Sequence, residues 1–373
     1  MIFLRSYFSK IVFSVLVAIL ALTGCAGRIP TTGTETVYPA TRIAVLPIDN
    51  LSGGSAPLKA LRQEFIAKMQ AGGLVKAIPE ADLDAFMARH RIRYVGGVTR
   101  NDTIALRDET GAEAVVVTSL ELYNESYPPR IALTARLVAT GSDPHILSME
   151  STAVAGDDNP GLLGIGLIEK PQTLRAKALD RLVAGLITGS GAEKSGPSLS
   201  PASVFRSQPL DPGERYSVAV LPFFNKSNRR YAGEIVALHF IRELTRNDRF
   251  IVIEPGVARQ DLLQYRIIME DGVSLADAEL VFGVMRVDLL FTGNVNDYED
   301  IQGTFGVPKV DFTALMLNRV NRKAGWAVDA HAGGNDKVYL FDIGKLTTAN
   351  ALAAAMTRGA VKTITSTDLV GQP

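Results

Sequence analysis

Cys25 is the only thiol in the 373 residues of the chain. A lone cysteine excludes intrachain disulfides and any metal cage built from several thiolates. It follows two small residues, Thr23 and Gly24, at the end of the uncharged run Ile11–Leu22, in which only Ser14 is polar. Small residues before a cysteine let a processing enzyme reach the backbone. The chemistry expected at this position is therefore covalent modification of the thiol.

The residues before Cys25 have the three parts of a secretory leader. Arg5 and Lys10 supply the basic start, and the apolar run that follows is shorter than the ~20 residues needed to cross a bilayer. The end of the run, Leu22-Thr23-Gly24-Cys25, resembles the lipobox of bacterial lipoproteins. The resemblance implies that residues 1–24 are a signal peptide. It also implies a thioether-linked diacylglycerol on Cys25, with a further acyl chain such as palmitate on its amine.

Residues 25–41 are predicted to be a lipidated tether, because they contain Gly, Pro and Thr without a hydrophobic period. Position 26 is Ala and not Asp, and in Gram-negative lipoproteins this implies the outer membrane rather than retention at the inner one. Several acyl chains, at ~0.8 kcal/mol per buried CH₂, hold a protein durably on a membrane. The predicted location is therefore the periplasmic face of the outer membrane.

The composition predicts a globular protein with large cores. Hydrophobic residues make up 47% of the chain and charged residues 21%. Lys+Arg and Asp+Glu both number 39, and this balance argues against nucleic acid, whose partners usually carry a basic excess.

Other residues that could carry chemistry do not form a recognisable site. Gly161–Gly166 and Gly344–Thr347 resemble phosphate-binding loops only superficially, because the flanking strand, Lys or Gly is missing. Asp297, Glu299 and Asp300 could bind a cation, but a solvated acidic turn is the better interpretation. Four histidines without a second ligand at metal-binding spacing are interpreted as surface or satisfied residues: His90, His145, His239 and His331. We therefore predict no catalytic residue, no cofactor and no metal.

One stretch occurs twice. Arg42–Ser52, RIAVLPIDNLS, returns as Ser217–Ser227, SVAVLPFFNKS, and Val220 lies 175 positions after Val45. The apolar run predicts a strand buried on both faces, and the Pro marks where pairing stops. Asn-x-Ser is typical of a turn or a helix cap. An offset this large exceeds the roughly 20–50 residues of a solenoid repeat, so two domain-sized copies are predicted.

The rest of the pattern also repeats in the order strand, helix, strand, helices, three strands, helix. Glu113–Thr118 matches Val287–Thr292 at an offset of 174 residues. Arg130–Val138 alternates, which predicts a half-exposed antiparallel strand with Arg130, Thr134 and Arg136 on its solvent side. Ordinary sheet strands are favoured over membrane-spanning ones, because charged residues share that face.

The repeat resembles a family of bacterial envelope proteins that includes the curli-secretion lipoprotein CsgG, the N-terminal domain of TolB and the lipoprotein activators of penicillin-binding proteins. The second copy carries the motifs in Ala219–Phe223, Asn225, Ser227, Ile253-Glu254, Asp288 and Thr292-Gly293. The first copy departs from them at Ile48, Ala114 and Ser119. The resemblance implies an α/β fold with a mixed sheet and helices in two tandem copies. These motifs mark a fold and not a reaction.

The predicted organisation has five parts: signal peptide 1–24, lipidated tether 25–41, first domain 42–187, a flexible or partly extended linker 188–215, and second domain 216–373. The predicted function is that of a non-enzymatic outer-membrane lipoprotein, a scaffold or accessory factor for an envelope assembly or secretion machine. The expected partners are the membrane, through Cys25, and an envelope protein. The alternative is a peptidoglycan- or glycan-binding lipoprotein, with Tyr298, Phe305 and Trp326 lining a groove. A homo-oligomer is also compatible with the sequence.

Overall fold

The structure is a computed structural model that describes residues 41–73, 75–158, 166–188, 196–207, 209–266, 275–300, 306–336, 338 and 344–365. The strands are β1 (Thr41–Val45), β2 (Asp49–Asn50), β3 (Val75–Ala77), β4 (Ala114–Asn124), β5 (Arg130–Ala139), β6 (Ile146–Ala155), β7 (Ser203–Arg206), β8 (Tyr216–Val220), β9 (Phe224–Asn225), β10 (Phe250–Val252), β11 (Leu289–Glu299), β12 (Lys309–Asn318) and β13 (Ala324–Gly333). The helices are α1 (Leu58–Ala71), α2 (Glu80–Arg89), α3 (Arg100–Thr110), α4 (Pro171–Thr188), α5 (Ala232–Thr245), α6 (Pro255–Gln264), α7 (Leu275–Val284) and α8 (Ala349–Thr365). All of them belong to the unit Ala40–Pro373.

Each copy forms its own mixed sheet with the same strand order. The first sheet runs β3-β1-β4-β5-β6 with β2 beside β4, and the second runs β10-β8-β11-β12-β13 with β9 beside β11. The second strand of each, β1 or β8, pairs parallel with both neighbours, whereas the next three strands form an antiparallel meander. The prediction of an α/β fold in two tandem copies is confirmed.

The equivalence of the copies extends to single backbone hydrogen bonds. The N–H of Glu113 donates to the carbonyl of Arg42 at 2.8 Å, and 175 positions later that of Asp288 donates to Ser217 at 3.0 Å. The predicted offset of 174 for this strand was therefore wrong by one residue. Asp288 is equivalent to Glu113 and not to Ala114, so the first copy keeps its acidic residue. A run of similar apolar residues aligns almost equally well one position out, which explains the error.

A longer connection accounts for the later change of offset. The β4–β5 pairing has a bulge between Leu120 and Leu122, and the β11–β12 pairing has one 175 positions on, between Val295 and Asp297. After the bulge, Leu133 pairs with Leu120 and Phe312 with Val295, an offset of 179. The second copy therefore has four extra residues between these two strands, and insertions of this kind belong in surface loops.

The Asn-x-Ser sequences form the same turn twice. Asn50 Oδ1 accepts hydrogen bonds from the N–H and the hydroxyl of Ser52 at 3.1 and 2.6 Å, while its Nδ2 donates to the Gly54 carbonyl at 2.7 Å. Asn225 accepts from the N–H and hydroxyl of Ser227 at 3.1 and 2.7 Å. The turn predicted from the sequence is confirmed, and its cause is an Asn side chain that replaces a backbone carbonyl.

Helices cover both faces of each sheet. In the first copy α1 and α4 pack on one face around Phe65 and Leu182, and α2 and α3 pack on the other around Phe86 and Leu106. In the second copy α5 and α8 cover one face around Phe240, while α6 and α7 cover the other. All residues of helix α5 from Ala232 to Leu244 except Glu234 are buried, because one side packs on its own sheet and the other on the first copy.

Part of the segment predicted as a linker is an edge strand. Strand β7 pairs antiparallel with β13, with Phe205 opposite Ala327. Just before β7, the N–H of Leu199 donates to the Ala355 carbonyl of α8 at 3.0 Å. The Gly, Ser and Pro composition predicted a flexible or partly extended linker, and this part of it is extended because the open edge of the second sheet supplies partners for its backbone groups.

Gly359 tests the packing of this segment on α8. A Cβ at position 359 would lie 1.7 Å from the Leu199 carbonyl oxygen, whereas one at Gly283 in α7 would meet nothing within 4 Å. Gly359→Ala should lower the free energy of unfolding by about 1–3 kcal/mol through overpacking, despite its better helix propensity. Urea denaturation measures the change. Gly283→Ala, the matched control, should be neutral or stabilising, and equal effects of both would contradict this contact.

Candidate functional site at the junction of the two copies

A cavity of about 490 Å³ lies between the two copies, within the range of roughly 300–1,000 Å³ usual for small-molecule sites. The first copy contributes β2 and the segment between α2 and α3, and the second contributes α5 and α6. The apolar lining residues are Leu51, Val220, Pro222, Ala237, Leu238, Ile241, Pro255 and Leu263. The polar lining residues are Asp49, Asn50, Tyr94, Ser119, Tyr231, Glu234 and Arg259. This is the candidate functional site.

The carboxylate of Asp49 and the hydroxyl of Tyr94 converge on one point of the wall. A Cβ at Gly96 would lie 2.4 Å from Asp49 Oδ2 and 2.8 Å from the Tyr94 hydroxyl, so only glycine leaves room for both groups. Asp49 is held at this place because β2 pairs with β4, where Asp49 lies opposite Ser119.

Burial gives this wall unusual electrostatics. It raises the pKa of the Asp49 carboxyl, and the Arg136 guanidinium opposes the rise. Burial also raises the pKa of Tyr94 to about 12, so this hydroxyl stays protonated. The Arg259 guanidinium lies over the Tyr94 ring, 4.4 Å from its centroid, in a cation–π contact.

Behind this wall, an ion pair joins the copies. Arg136 of β5 donates through Nε to Glu254 Oε2 at 2.8 Å and through Nη2 to Oε1 at 2.9 Å. Its Nη2 also donates to the Gly96 carbonyl at 2.6 Å. Glu254 accepts further bonds from the N–H groups of Val98 and Gly256, the latter capping α6. Both side chains are at most 1% exposed, so the pair is fully desolvated and geometrically complete.

This arrangement corrects the prediction for Arg130–Val138. Arg130, Thr134 and Arg136 were expected on a solvent-facing side, but all three are buried. The polar side of the strand is covered by the second copy. Alternation predicts which side chains share a face; it does not predict what covers that face.

A second charged cluster lies at the edge strand β6. Glu150 accepts hydrogen bonds from Arg242 at 2.5 Å and from Arg246 at 3.0 Å. Arg242 also donates to Glu243 at 2.7 Å, and Arg358 of α8 lies 3.6 Å from the same carboxylate. Positive charges of the second copy therefore surround a carboxylate of the first. Removing one partner of such a cluster leaves a buried charge uncompensated.

Between the two charged contacts lies a carboxylate next to a buried histidine. Glu121 Oε2 accepts from Asn350 Nδ2 at 2.7 Å and lies 4.0 Å from His239 Nε2. Burial raises the pKa of Glu121 to about 7 and lowers that of His239 to about 3. Neither ring nitrogen of His239 has a hydrogen-bond partner among the described residues. His239 is therefore not the satisfied or surface residue that the sequence predicted.

Several predicted site residues lie outside the described part of the chain: Cys25, Phe305 and all of Gly161–Gly166 except its last glycine. Trp326 and Tyr298 are 0% and 2% exposed, so the aromatic groove predicted from them was wrong. Trp326 packs with Phe240 and Phe291 in the core of the second copy, because its side of β13 faces α8. The alternation of small residues around Trp326 did not reveal that orientation.

The remaining candidates have structural partners. Asp300 accepts from the N–H of Ala349 at 3.0 Å and so caps α8. Arg229, next to the second Asn-x-Ser turn, donates to the carbonyls of Leu51 and Glu121 in the first copy at 3.0 and 2.6 Å. No group of three or more His, Cys, Asp or Glu in the described ranges could hold a metal ion. No helix among the described residues is long and apolar enough to span a membrane.

Sequence reasoning missed the junction residues, although one signal was present. Helix α5 is apolar beyond the stripe Ile235, Leu238, Ile241 and Leu244. Val236, Ala237 and Phe240 are apolar residues outside this stripe. A helix that is apolar on most of its circumference is usually packed on two sides. The residues opposite it, such as Arg136 and Glu150, carry no such signal.

No protein-family model and no curated protein matches the chain. Among solved structures, it is similar to the PelC dodecamer from Paraburkholderia phytofirmans, with 12% identity over 43% of this chain and 96% of that one, at a TM-score of 0.29. It is also similar to lipoprotein GNA1162 from Neisseria meningitidis, with 20% identity over 34% and 89% and a TM-score of 0.28. A third neighbour is the LpoB C-terminal domain from Salmonella enterica, with 17% identity over 32% and 86% and a TM-score of 0.27. At these values the function has to be argued from the chain itself.

The buried pair predicts a strong and specific effect on stability. Arg136→Ala should lower the free energy of unfolding by about 3–5 kcal/mol, because it leaves Glu254 buried without its counterion. Urea denaturation measures the loss. The double variant Arg136→Met/Glu254→Leu should lose clearly less than the two single variants together. Arg89→Ala, which removes an exposed pair with Glu109, is the control and should barely move the midpoint.

Glu121 predicts a pH-dependent stability. Its pKa is raised from 4.5 to about 7, so between these pH values the folded state keeps a proton that the unfolded state releases. The free energy of unfolding of the wild type therefore falls as the pH rises from 4.5 to 7. The free energy of unfolding of Glu121→Gln relative to the wild type should therefore increase by up to about 1.4 kcal/mol per pH unit from pH 4.5 to 7. Above pH 7 this difference should stay constant. Chemical denaturation at a series of pH values measures it.

The two curves have to be subtracted because His239 acts in the opposite direction. Its pKa is lowered from 6.5 to about 3, so the unfolded state binds a proton below pH 6.5 that the folded state does not bind, and the stability is lost as the pH falls through this range. That contribution is common to both proteins. A constant difference between them at all pH values would contradict the protonated, buried Glu121.

Proposed function

We propose that this chain is a non-enzymatic lipoprotein of the bacterial outer membrane whose two α/β copies face the periplasm. It serves as a scaffold or accessory factor for an envelope assembly or secretion machine. The observation that carries the proposal is the sequence Leu22-Thr23-Gly24-Cys25, in which the only cysteine of the chain follows a short apolar run. The lipid anchor confines both copies near the membrane and so raises the effective concentration for a partner there.

The buried charges of the junction support a structural role. Arg136 with Glu254, and Arg242 with Glu150, are each matched across the two copies. Groups that neutralise each other in this way stabilise an arrangement and are not poised to exchange protons with a substrate. A fixed pair of domains offers one continuous surface, which suits a protein that organises others.

The glycan-binding alternative has lost its motivating feature. Two of the three aromatic residues expected to line a groove, Tyr298 and Trp326, are buried in the core of the second copy. Exposed aromatic residues do occur, Tyr127 and Tyr265 among them at 59% and 61%, but they lie in different copies. The scaffold function is therefore the one that we retain.

The anchor is tested with Cys25→Ser expressed in a Gram-negative cell. Without the thiol no thioether can form, so the protein should appear in the soluble periplasmic fraction or keep its leader. Fractionation with immunoblotting, together with labelling by a palmitate analogue, measures this. The matched variant Ala26→Asp keeps the cysteine and should still be labelled while moving to the inner membrane. Unchanged outer-membrane sedimentation of Cys25→Ser would refute the anchor.

The accessory role is tested by crosslinking in intact envelopes. The lipidated protein should capture the same envelope proteins repeatedly, and the Cys25→Ser protein at equal abundance should capture far less of them. Equal capture by both forms would show that confinement to the membrane does not drive the association. Turnover of envelope polymers by the purified protein alone would contradict the non-enzymatic assignment.

A further inference from the structure

We propose that the cavity between the two copies is a binding site for an amphiphilic organic cation, a molecule with an apolar body and one ammonium group. This inference does not rest on the lipid anchor or on the scaffold function. It rests on the shape, the lining and the charge of the cavity.

The walls define the apolar part of the ligand. Leu238 and Ile241 of α5 form one side, and Pro255 and Leu263 of α6 form another. Leu263 is 45% exposed, which places it at the mouth. Apolar side chains left accessible to water at the rim of a concave site gain free energy when an apolar molecule covers them. An alkyl chain fits the part of the wall formed by these four side chains, because none of them carries a hydrogen-bonding group.

A carboxylate defines the polar part. Asp49 of the first copy lines the cavity. The one cation in the lining, Arg259, lies against the Tyr94 ring. Arg136, whose charge acts on Asp49, donates hydrogen bonds to both oxygens of Glu254. Asp49 itself forms no ion pair among the described residues, so an ammonium group balances its charge while an organic anion is repelled.

The position of Asp49 suits a directed contact. Its Oδ2 and the Tyr94 hydroxyl approach the same point beside Gly96, where no side chain intrudes. An ammonium group has three donors and satisfies two such oxygens at once. A half-buried carboxylate of this kind binds a cation more strongly than one in bulk water, because fewer water molecules screen the charge.

The test uses the full chain carrying Cys25→Ser, purified without detergent so that no amphiphile competes. Isothermal titration calorimetry compares octylammonium, octanol and octanoate at concentrations below micelle formation. We expect one octylammonium per chain, bound at least about tenfold tighter than octanoate. Each methylene removed from the alkylammonium should weaken binding roughly threefold, because apolar area is no longer covered. Octanoate binding as tightly as octylammonium would overturn the proposal.

Variants locate the site. Asp49→Asn should weaken octylammonium about tenfold and leave octanol unchanged, whereas Ala237→Leu should weaken all ligands by filling the cavity. Asp108→Asn, an exposed carboxylate on α3, is the matched control and should change nothing. Circular dichroism checks that each variant is folded, and if Asp49→Asn is not, Ala237→Leu carries the test. Binding that none of the cavity variants affects would show adsorption elsewhere and refute the site.

The pH dependence supplies an independent readout. Burial raises the pKa of Asp49, and the groups that act on it are Arg136, Tyr94 and Glu254, with Glu234 and Arg259 also lining the cavity. Octylammonium should bind more tightly as rising pH removes the Asp49 proton, and this dependence should be weaker in Asp49→Asn. An identical pH profile in both proteins would show that the ammonium group does not contact Asp49.

Discussion

The ion pair between Arg136 and Glu254 decides how the two halves of this protein are arranged. Both side chains are withdrawn from water, and a charge in that position is tolerated only when its partner and its hydrogen bonds are complete. The guanidinium of one copy and the carboxylate of the other therefore have to meet at one place. The cavity forms beside this contact, since Gly96, whose carbonyl accepts from Arg136, also lies in the cavity wall.

The pair belongs to one junction and not to the repeat. By the register of the copies, the residue equivalent to Arg136 is Leu315, and the residue equivalent to Glu254 is Pro79. The same holds for Arg242 of α5: at the offset of 175 residues that relates the core residues Phe65 and Phe240, its equivalent in α1 is Ala67. The two copies thus share a fold and differ in sequence where they touch. The first copy supplies a polar sheet face, and the second supplies helices whose outer side is charged to match it.

Burial at the junction also explains why the pKa values of several polar groups are shifted from their ordinary values. Glu121, His239 and Asp49 are all displaced in pKa by burial, and all lie where the second copy covers the first. Structural pairing accounts for most of the buried charge, but Asp49 faces open space. That difference is why the cavity, and not the charged cluster around Glu150, is the place where a ligand is proposed.

Local patterns in the sequence determined much of the protein. The repeated Val-Leu-Pro and Asn-x-Ser stretches predicted strands β1 and β8 and the turns that follow them, because a buried strand and an Asx turn depend on neighbouring residues alone. The helices and the duplicated order of elements were predicted from local periodicity in the same way. The domain boundaries and the lipidation of Cys25 remain predictions from the sequence. The tertiary structure alone decided that Arg136 is buried, that Trp326 is in a core, that the segment before β8 forms an edge strand and that a cavity lies between the copies. Each of these depends on which surface covers which, and residues more than 100 positions apart, such as Arg136 and Glu254, leave no periodic trace of their contact.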